Sequence, residues 1–316
     1  MPANERHRQG VGAIYALERK LVLYEETNQE FIVRCIQKIH SRLMNLFTRF
    51  VEEQIRAIED TKVKVKKRKG VISFMRAFPP FSMSVENMLS MSAGEIFDIR
   101  FRVNESYAKI NRAMWDSLKF IAKEAPGQPT AQMAGGGDPE DKEILNYHIL
   151  MIENMNHYIE EVDVRDNIVL QEWKDRAVRD MNEHMRLYMD SVIRRPLGKL
   201  LDFIESTESL LQTTINPAEI SLRPSHSRAV AKKVLAAHDA RELKRGIETL
   251  KKRVDKHFGD ADDASLSRSL VVKVSKECEA RYANIYDRAH RIFTEVYEGQ
   301  LGLDWNKEEA IALFKR

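Results

Sequence analysis

The fold is decided by the segment "IQKIHSRLMNLFTRF", residues 36–50. Its apolar residues are separated by three and four positions, the period of an amphipathic α-helix, at Ile36, Ile39, Leu43, Leu46 and Phe50. The same stripe continues through Phe47, Val51, Ile55 and Ile58. Few helix-breaking residues occur between Thr27 and Lys69, so the pattern predicts one helix of about forty residues.

The helical period returns in other parts of the chain. It is clear in the middle, at Leu145, Ile149, Ile152, Met155 and Ile159, and near the C-terminus, at Tyr282, Ile285, Ala289, Ile292 and Val296. The alternation typical of strands is almost absent. The sequence therefore predicts an all-α fold of about ten helices.

Prolines, glycines and one low-complexity segment predict where the helices end. Breaks are expected at Gly70, Pro79-Pro80, Ser92–Gly94, Asn216-Pro217, Arg223-Pro224 and Gly302. Pro196 predicts a kink or the start of a new helix. The segment "APGQPTAQMAGGGDP", residues 125–139, has the composition of a mobile linker. We predict two helical bundles in series, residues 1–162 (which contain this linker) and residues 163–316.

Composition limits the class of protein. The chain has 316 residues and a net charge of +3, so it is not a globally basic nucleic-acid binder. Cys35 and Cys278 are far apart and lie in apolar periodic segments, which favours two buried, reduced thiols and a cytosolic protein. No apolar run is long enough for a membrane span, and the N-terminus lacks the apolar core of a signal peptide.

No arrangement of residues indicates catalysis. The chain contains no HExxH motif, no Cys/His cluster with zinc spacing and no GxSxG nucleophile elbow. His157 lies one helical turn from Glu153, Glu160 and Glu161, but a solvated helix face explains this group better than a metal or acid–base site. We predict no enzyme, no catalytic residue, no cofactor, no metal and no small-molecule substrate.

A run of cations interrupts this otherwise balanced chain. The segment "TKVKVKKRKGVISFMRAFPPF", residues 61–81, begins with a basic run that we define as Lys62, Lys64, Lys66, Lys67, Arg68 and Lys69. These six charges exceed the net charge of the chain, so the other residues together are slightly acidic. The basic run has three interpretations: the end of a long helix, with Gly70 as the capping residue, a patch for acidic phospholipid, or a nuclear-import or nucleic-acid motif.

An aromatic cluster follows the basic run. Phe74, Phe78 and Phe81 surround Pro79-Pro80. A turn that plugs the core between two helices is the favoured interpretation, and a rigid apolar contact for a partner is the alternative.

Several longer strings resemble one known family. "FVEEQIRAIEDTKVKVKKRKGVISFMRAFPPFSMSVENML" (residues 50–89) resembles the C-terminal region of exocyst complex component one, the yeast Sec-three-type subunit, with a fungal character. The resemblance continues in order through "NESYAKINRAMWDSLKFIAKEA", "LNYHILMIENMNHYIEEV", "RRPLGKLLDFIES", "LKKRVDKHFG" and "EEAIALFKR". It covers nearly the whole chain.

This resemblance implies an architecture and a role. Members are subunits of the exocyst, which tethers secretory vesicles to the plasma membrane, and they are elongated rods of stacked helical bundles. The implied partners are the other exocyst subunits, and the implied location is cytoplasmic, peripheral to the plasma membrane at sites of secretion. The lipid- and GTPase-binding module of the family lies near the N-terminus of the full subunit and has no counterpart here.

The resemblance also changes the weight of the three interpretations of the basic run. The helix end still leads, and acidic inner-leaflet phospholipid or another subunit becomes a better candidate than nucleic acid. The sequence therefore predicts a non-enzymatic tethering subunit. The alternative is an anion-binding helical module that uses residues 62–69 to engage acidic phospholipid.

Overall fold

The structure, a computed structural model, describes residues 2–64, 70–89, 97–123, 139–259 and 264–315. Within these ranges it contains ten α-helices and three short 3-10 helices, and no strand. This confirms the predicted all-α helical bundle. None of the described helices combines the length and the apolar character that crossing a membrane requires.

The helices follow the predicted punctuation at most positions. Their bounds are α1 (Pro2–Glu25), α2 (Glu30–Lys64), α3 (Ser73–Leu89), α4 (Asp98–Lys123), α5 (Pro139–Val164), α6 (Gln171–Leu211), α7 (Arg228–Ala236), α8 (Ala240–Phe258), α9 (Ala264–Tyr297) and α10 (Lys307–Lys315). The 3-10 helices are Ile168–Leu170, Pro217–Leu222 and Pro224–His226. The predicted break at Ser92–Gly94 and the predicted linker up to residue 138 lie outside the described residues.

The chain forms two compact units. Unit 1 comprises the described residues of Met1–Gly136 and Leu150–Met181, and unit 2 those of Gly137–Ile149 and Asn182–Arg316. The two helical bundles predicted from the sequence, residues 1–162 and 163–316, remain a prediction.

In unit 1, α2 is the single long helix that the apolar period predicted, at 35 residues. The residues of its apolar stripe are not all buried. Phe50 is buried, whereas Ile39 and Leu46 are about half exposed, at 51% and 50%. The period therefore identifies the helix, but the neighbours that pack against each turn, chiefly α1 and α4, decide which residues enter the core.

The predicted break at Pro79-Pro80 is wrong, because both prolines lie inside α3. Each proline removes one backbone donor from the helix. Packing compensates for this loss, since Phe74, Met75 and Phe78 are all buried on this helix. Tertiary burial has overridden the local preference against a proline pair.

Unit 2 is organised around α6, α8 and α9. Its largest fully buried side chains include Tyr188, Phe258 and Tyr282, and each lies on a different one of these three helices. Pro196 lies inside α6, so no new helix begins there. Asn216-Pro217 and Arg223-Pro224 lie between α6 and α7, where breaks were predicted, and each pair begins a 3-10 helix.

The two cysteines differ in their exposure to solvent. Cys278 is buried, as predicted, but Cys35 is exposed, contrary to the prediction. Cys35 lies on α2 in the half where the neighbouring Phe31 and Ile39 are also exposed.

Candidate interaction sites

The basic run begins in the last turn of α2. Lys62 Nζ lies 5.7 Å from the ring centroid of Phe120 on α4, the geometry of a cation–π contact. Lys64 is the last residue of α2. The other four cations, Lys66, Lys67, Arg68 and Lys69, lie outside the described residues, so the three interpretations of the run stay open.

The segment that follows the basic run is fixed by α5. The backbone N–H of Gly70 donates to Glu153 Oε2 at 2.8 Å, and the N–H of Ile72 donates to Asn154 Oδ1 at 2.8 Å. Asn154 Nδ2 donates in turn to the Gly70 carbonyl at 3.3 Å and to the Leu150 carbonyl at 2.8 Å. We call this group of contacts the Gly70 anchor. Gly70 has φ +88°, which a residue with a side chain rarely adopts.

Buried polar residues make the Gly70 anchor strong. Asn154 is fully buried and Glu153 is 5% exposed. Hydrogen bonds are worth most where water cannot replace a lost partner, so this anchor holds the chain at a defined point directly after the basic run. Sequence reasoning placed Glu153 on a solvated helix face, which is wrong.

The aromatic cluster belongs mainly to the core of unit 1. Phe74 and Phe78 are buried, and Phe78 makes an edge contact with Tyr107 at 5.8 Å between centroids. Phe81 is half-buried and lies 5.9 Å from Phe50. The burial of Phe74 and Phe78 fits the core role favoured from the sequence, and a partner contact through this cluster remains a prediction.

His157 is buried rather than solvated. Burial lowers its pKa, and neither ring nitrogen has a hydrogen-bond partner within the described part of the chain. No group of three or more metal-ligating side chains suited to an ion occurs among the residues that the structure describes.

Unit 2 contains a pair of buried histidines that the sequence analysis did not find. His148 Nδ1 lies 2.9 Å from His184 Nδ1, and both rings are less than a tenth exposed. Burial, and secondarily the neighbouring His184, lowers the pKa of His148 to about 4. The two residues lie 36 positions apart on different helices, so no spacing rule connects them.

The α1–α2 hairpin exposes a set of apolar side chains, which we call the hairpin face. Its members are four large apolar residues and one cysteine near the loop between the two helices, namely Val22, Leu23, Phe31, Ile39 and Cys35. Leu23 is 62% exposed and Phe31 is 79% exposed. Phe31, Cys35 and Ile39 are spaced four residues apart, so they project from the same side of α2.

The chain matches a family model. The model describes "Exocyst complex component Sec3, C-terminal" and covers residues 3–299. The chain is also similar to three curated proteins called "Exocyst complex component 1". It is 23% identical to the Drosophila melanogaster protein over 268 residues, 85% of this chain and 27% of that protein.

The other two relatives show the same level of similarity. The Mus musculus protein is 23% identical over 217 residues, 69% of this chain and 22% of that protein. The Dictyostelium discoideum protein is 23% identical over 273 residues, 86% of this chain and 27% of that protein. The chain thus spans about a quarter of the length of these relatives. No solved structure matches it.

Proposed function

The chain belongs to the family of the C-terminal region of exocyst complex component Sec3, and we propose that it acts as a non-enzymatic part of an exocyst subunit. In this role it helps to tether secretory vesicles to the plasma membrane before fusion. The observation that carries the proposal is the family match over residues 3–299.

The hairpin face is the best candidate for a contact with other exocyst subunits. Exposed apolar side chains that lie close together mark interaction sites more often than single ones do. Aromatic residues are enriched among the residues that dominate binding energy, and Phe31 on the hairpin face is 79% exposed.

The experiment immobilises the chain, passes cytosolic lysate over it at physiological salt, and identifies the retained proteins by mass spectrometry. We expect the wild-type chain to retain exocyst subunits and the Phe31→Asp/Ile39→Asp variant to retain about tenfold less, because a charge cannot be buried in an apolar contact.

A matched control tests whether any exposed apolar pair would act in the same way. Ile215 and Leu222 are 103% and 81% exposed and lie far along the chain in unit 2. The Ile215→Asp/Leu222→Asp variant should retain the same subunits as the wild-type chain. Equal retention by the hairpin variant would show that the contact lies elsewhere, and recovery of no exocyst subunit by the wild-type chain would contradict the proposed function.

The basic run supports a second role at the acidic inner leaflet of the plasma membrane, where this subunit would be peripheral. Its six cations lie within eight residues, from the last turn of α2 to the residue before the Gly70 anchor. Each clustered Lys or Arg contributes about 1 kcal/mol near an anionic leaflet.

Charge reversal tests this lipid role. We expect the variant with Lys66, Lys67, Arg68 and Lys69 replaced by Glu to bind vesicles containing phosphatidylserine at least tenfold more weakly in a sedimentation assay, with unchanged circular dichroism. Binding by the wild-type chain should also fall as salt rises. Full binding by the variant, or a loss of helicity that accounts for the change, would refute the lipid role.

A further inference from the structure

Helices α6 and α8 line a cavity of about 240 Å³ in unit 2. Its wall combines two kinds of side chain. Apolar groups come from Pro196, Leu243 and Trp305, and guanidinium groups come from Arg195, Arg245 and Arg253. We call this space the arginine cavity.

Two of these arginines have no acidic partner among the residues that the structure describes. Neither Arg195 nor Arg253 forms an ion pair or a side-chain hydrogen bond with any residue in the ranges that the structure describes, whereas Arg245 lies 3.8 Å from Glu242. The pKa of Arg253 is lowered, first by burial and then by the positive charge of Arg195. Like charges held near each other raise the energy of the folded protein unless an anion lies between them.

The side chains that line the arginine cavity carry a net positive charge. Glu242 offsets one of the three guanidinium groups, so the side chains of the wall carry a net charge of about +2 (His238 taken as neutral). A phosphate monoester carries about −1.5 to −2 at neutral pH, whereas a carboxylate carries −1. A dianion therefore matches this wall better than a single carboxylate.

The size of the cavity restricts the ligand further. Pockets for drug-sized ligands have volumes of about 300–1,000 Å³, so 240 Å³ suits one side chain with its terminal group. Gly246 helps to set this shape. A Cβ atom there would lie 3.1 Å from Pro196 Cβ, so the glycine permits the close approach of α8 to α6.

We propose that the arginine cavity binds a phosphorylated serine or threonine side chain of a partner polypeptide. Arg195 and Arg253 hold the phosphate oxygens through charge-assisted hydrogen bonds. The apolar wall around Pro196, Leu243 and Trp305 covers the carbon atoms of the ligand. This role goes beyond the proposed function and does not depend on it.

A partner polypeptide fits the cavity better than a membrane does. A bilayer presents its headgroups on a broad surface, and an apolar wall within a recess of this size gains nothing from such a surface. A single side chain can enter the recess and bring its phosphate to the arginines while its own carbons contact Trp305.

The first experiment uses phenyl phosphate as the probe and measures its affinity for the full chain by isothermal titration calorimetry. The Arg195→Gln/Arg253→Gln variant should bind it at least about tenfold more weakly, since two charge-assisted contacts are lost. Arg241→Gln is the matched control, because Arg241 is exposed on α8 but does not line the cavity, and it should bind as the wild-type chain does.

Further probes test separately the charge that the cavity prefers and whether the phosphate comes from a peptide. Phenyl sulfate, a monoanion of similar shape, should bind more weakly than phenyl phosphate, and binding of phenyl phosphate should weaken between pH 7.5 and pH 5.5 as it gains a proton. The peptide acetyl-Ala-phosphoSer-Leu-amide should bind, and its unphosphorylated form should not.

Three results would overturn the proposal. The first is equal binding of phenyl phosphate by the wild-type chain and the double variant. The second is failure of the phosphopeptide to bind. The third is binding, through Arg195 and Arg253, of vesicles that contain phosphatidylinositol 4,5-bisphosphate without binding of the phosphopeptide, which would assign the cavity to lipid. None of these results bears on the recovery of exocyst subunits from lysate.

Discussion

Replacing Asn154 with alanine is expected to lower the free energy of unfolding by about 3 kcal/mol. The substitution removes the acceptor of the Ile72 N–H and the donor to the Gly70 carbonyl, both of which are buried. A buried donor left without a partner costs about 1–3 kcal/mol, and the lost amide leaves a small cavity as well. Chemical denaturation of the chain measures the change.

The location of the effect distinguishes this explanation from a general loss of packing. In the variant, the rate of hydrogen exchange should increase more at the amides of Gly70 and Ile72 than at other amides of unit 1. Asn146→Ala is the control, because Asn146 is a half-buried residue of the same helix, and it should change stability by about 0.5 kcal/mol or less. If Asn154→Ala costs less than about 1 kcal/mol, the Gly70 anchor does not hold this segment.

Lowering the pH from 7 to 5 is expected to destabilise the protein through His148. The pKa of this residue is about 4 in the folded protein and about 6.5 in an unfolded chain. As the pH falls below 6.5, the unfolded chain therefore gains a proton that the folded protein does not accept until the pH approaches 4. The contribution of His148 to the stability of the fold is therefore fully present near pH 7 and is lost as the pH falls from about 6.5 to about 4.

The expected loss between pH 7 and pH 5 is about 1.5 kcal/mol. The pKa difference alone corresponds to a slightly larger loss of unfolding free energy. We expect a smaller loss because His148 lines a cavity of about 430 Å³ that water can enter. Asp190, Arg194 and Arg195 line the same cavity. Burial is the main cause of the low pKa of His148, and the neighbouring His184 lowers it further.

The His148→Gln variant isolates this contribution. Its unfolding free energy should depend on pH less steeply than that of the wild-type chain, by about the amount given above. His290→Gln serves as the control, because His290 is exposed on α9, and its pH dependence should match the wild type. Identical slopes for His148→Gln and the wild-type chain would show that the histidine pair does not control the acid sensitivity.

The predictable part of this fold is the part that depends on local periodicity. The spacing of apolar residues from Ile36 to Ile58 was sufficient to place α2, because an amphipathic stripe is a property of neighbouring residues. The prolines of α3 were misread because a local rule was applied where burial of Phe74 and Phe78 decides the outcome.

The unpredicted part depends on contacts between distant residues. Glu18 on α1 is an example of a residue whose contacts cannot be predicted from its local sequence. It is 7% exposed and accepts hydrogen bonds from His40 and from the backbone N–H of Ile99, near the start of α4. Nothing in the local sequence distinguishes it from a solvated glutamate. The Gly70 anchor and the His148–His184 pair were missed for the same reason, since their partners are 36 to 84 positions apart.

The difference between the two cysteines gives the chain a natural site for chemical labelling. Burial raises the pKa of the Cys278 thiol to about 12, so this residue is unreactive at neutral pH, whereas Cys35 is exposed within the hairpin face. A maleimide dye or a photo-crosslinking reagent would therefore attach at one place without any engineered substitution. Such a probe would report directly, through its emission or its cross-linked product, when another molecule covers this side of α2.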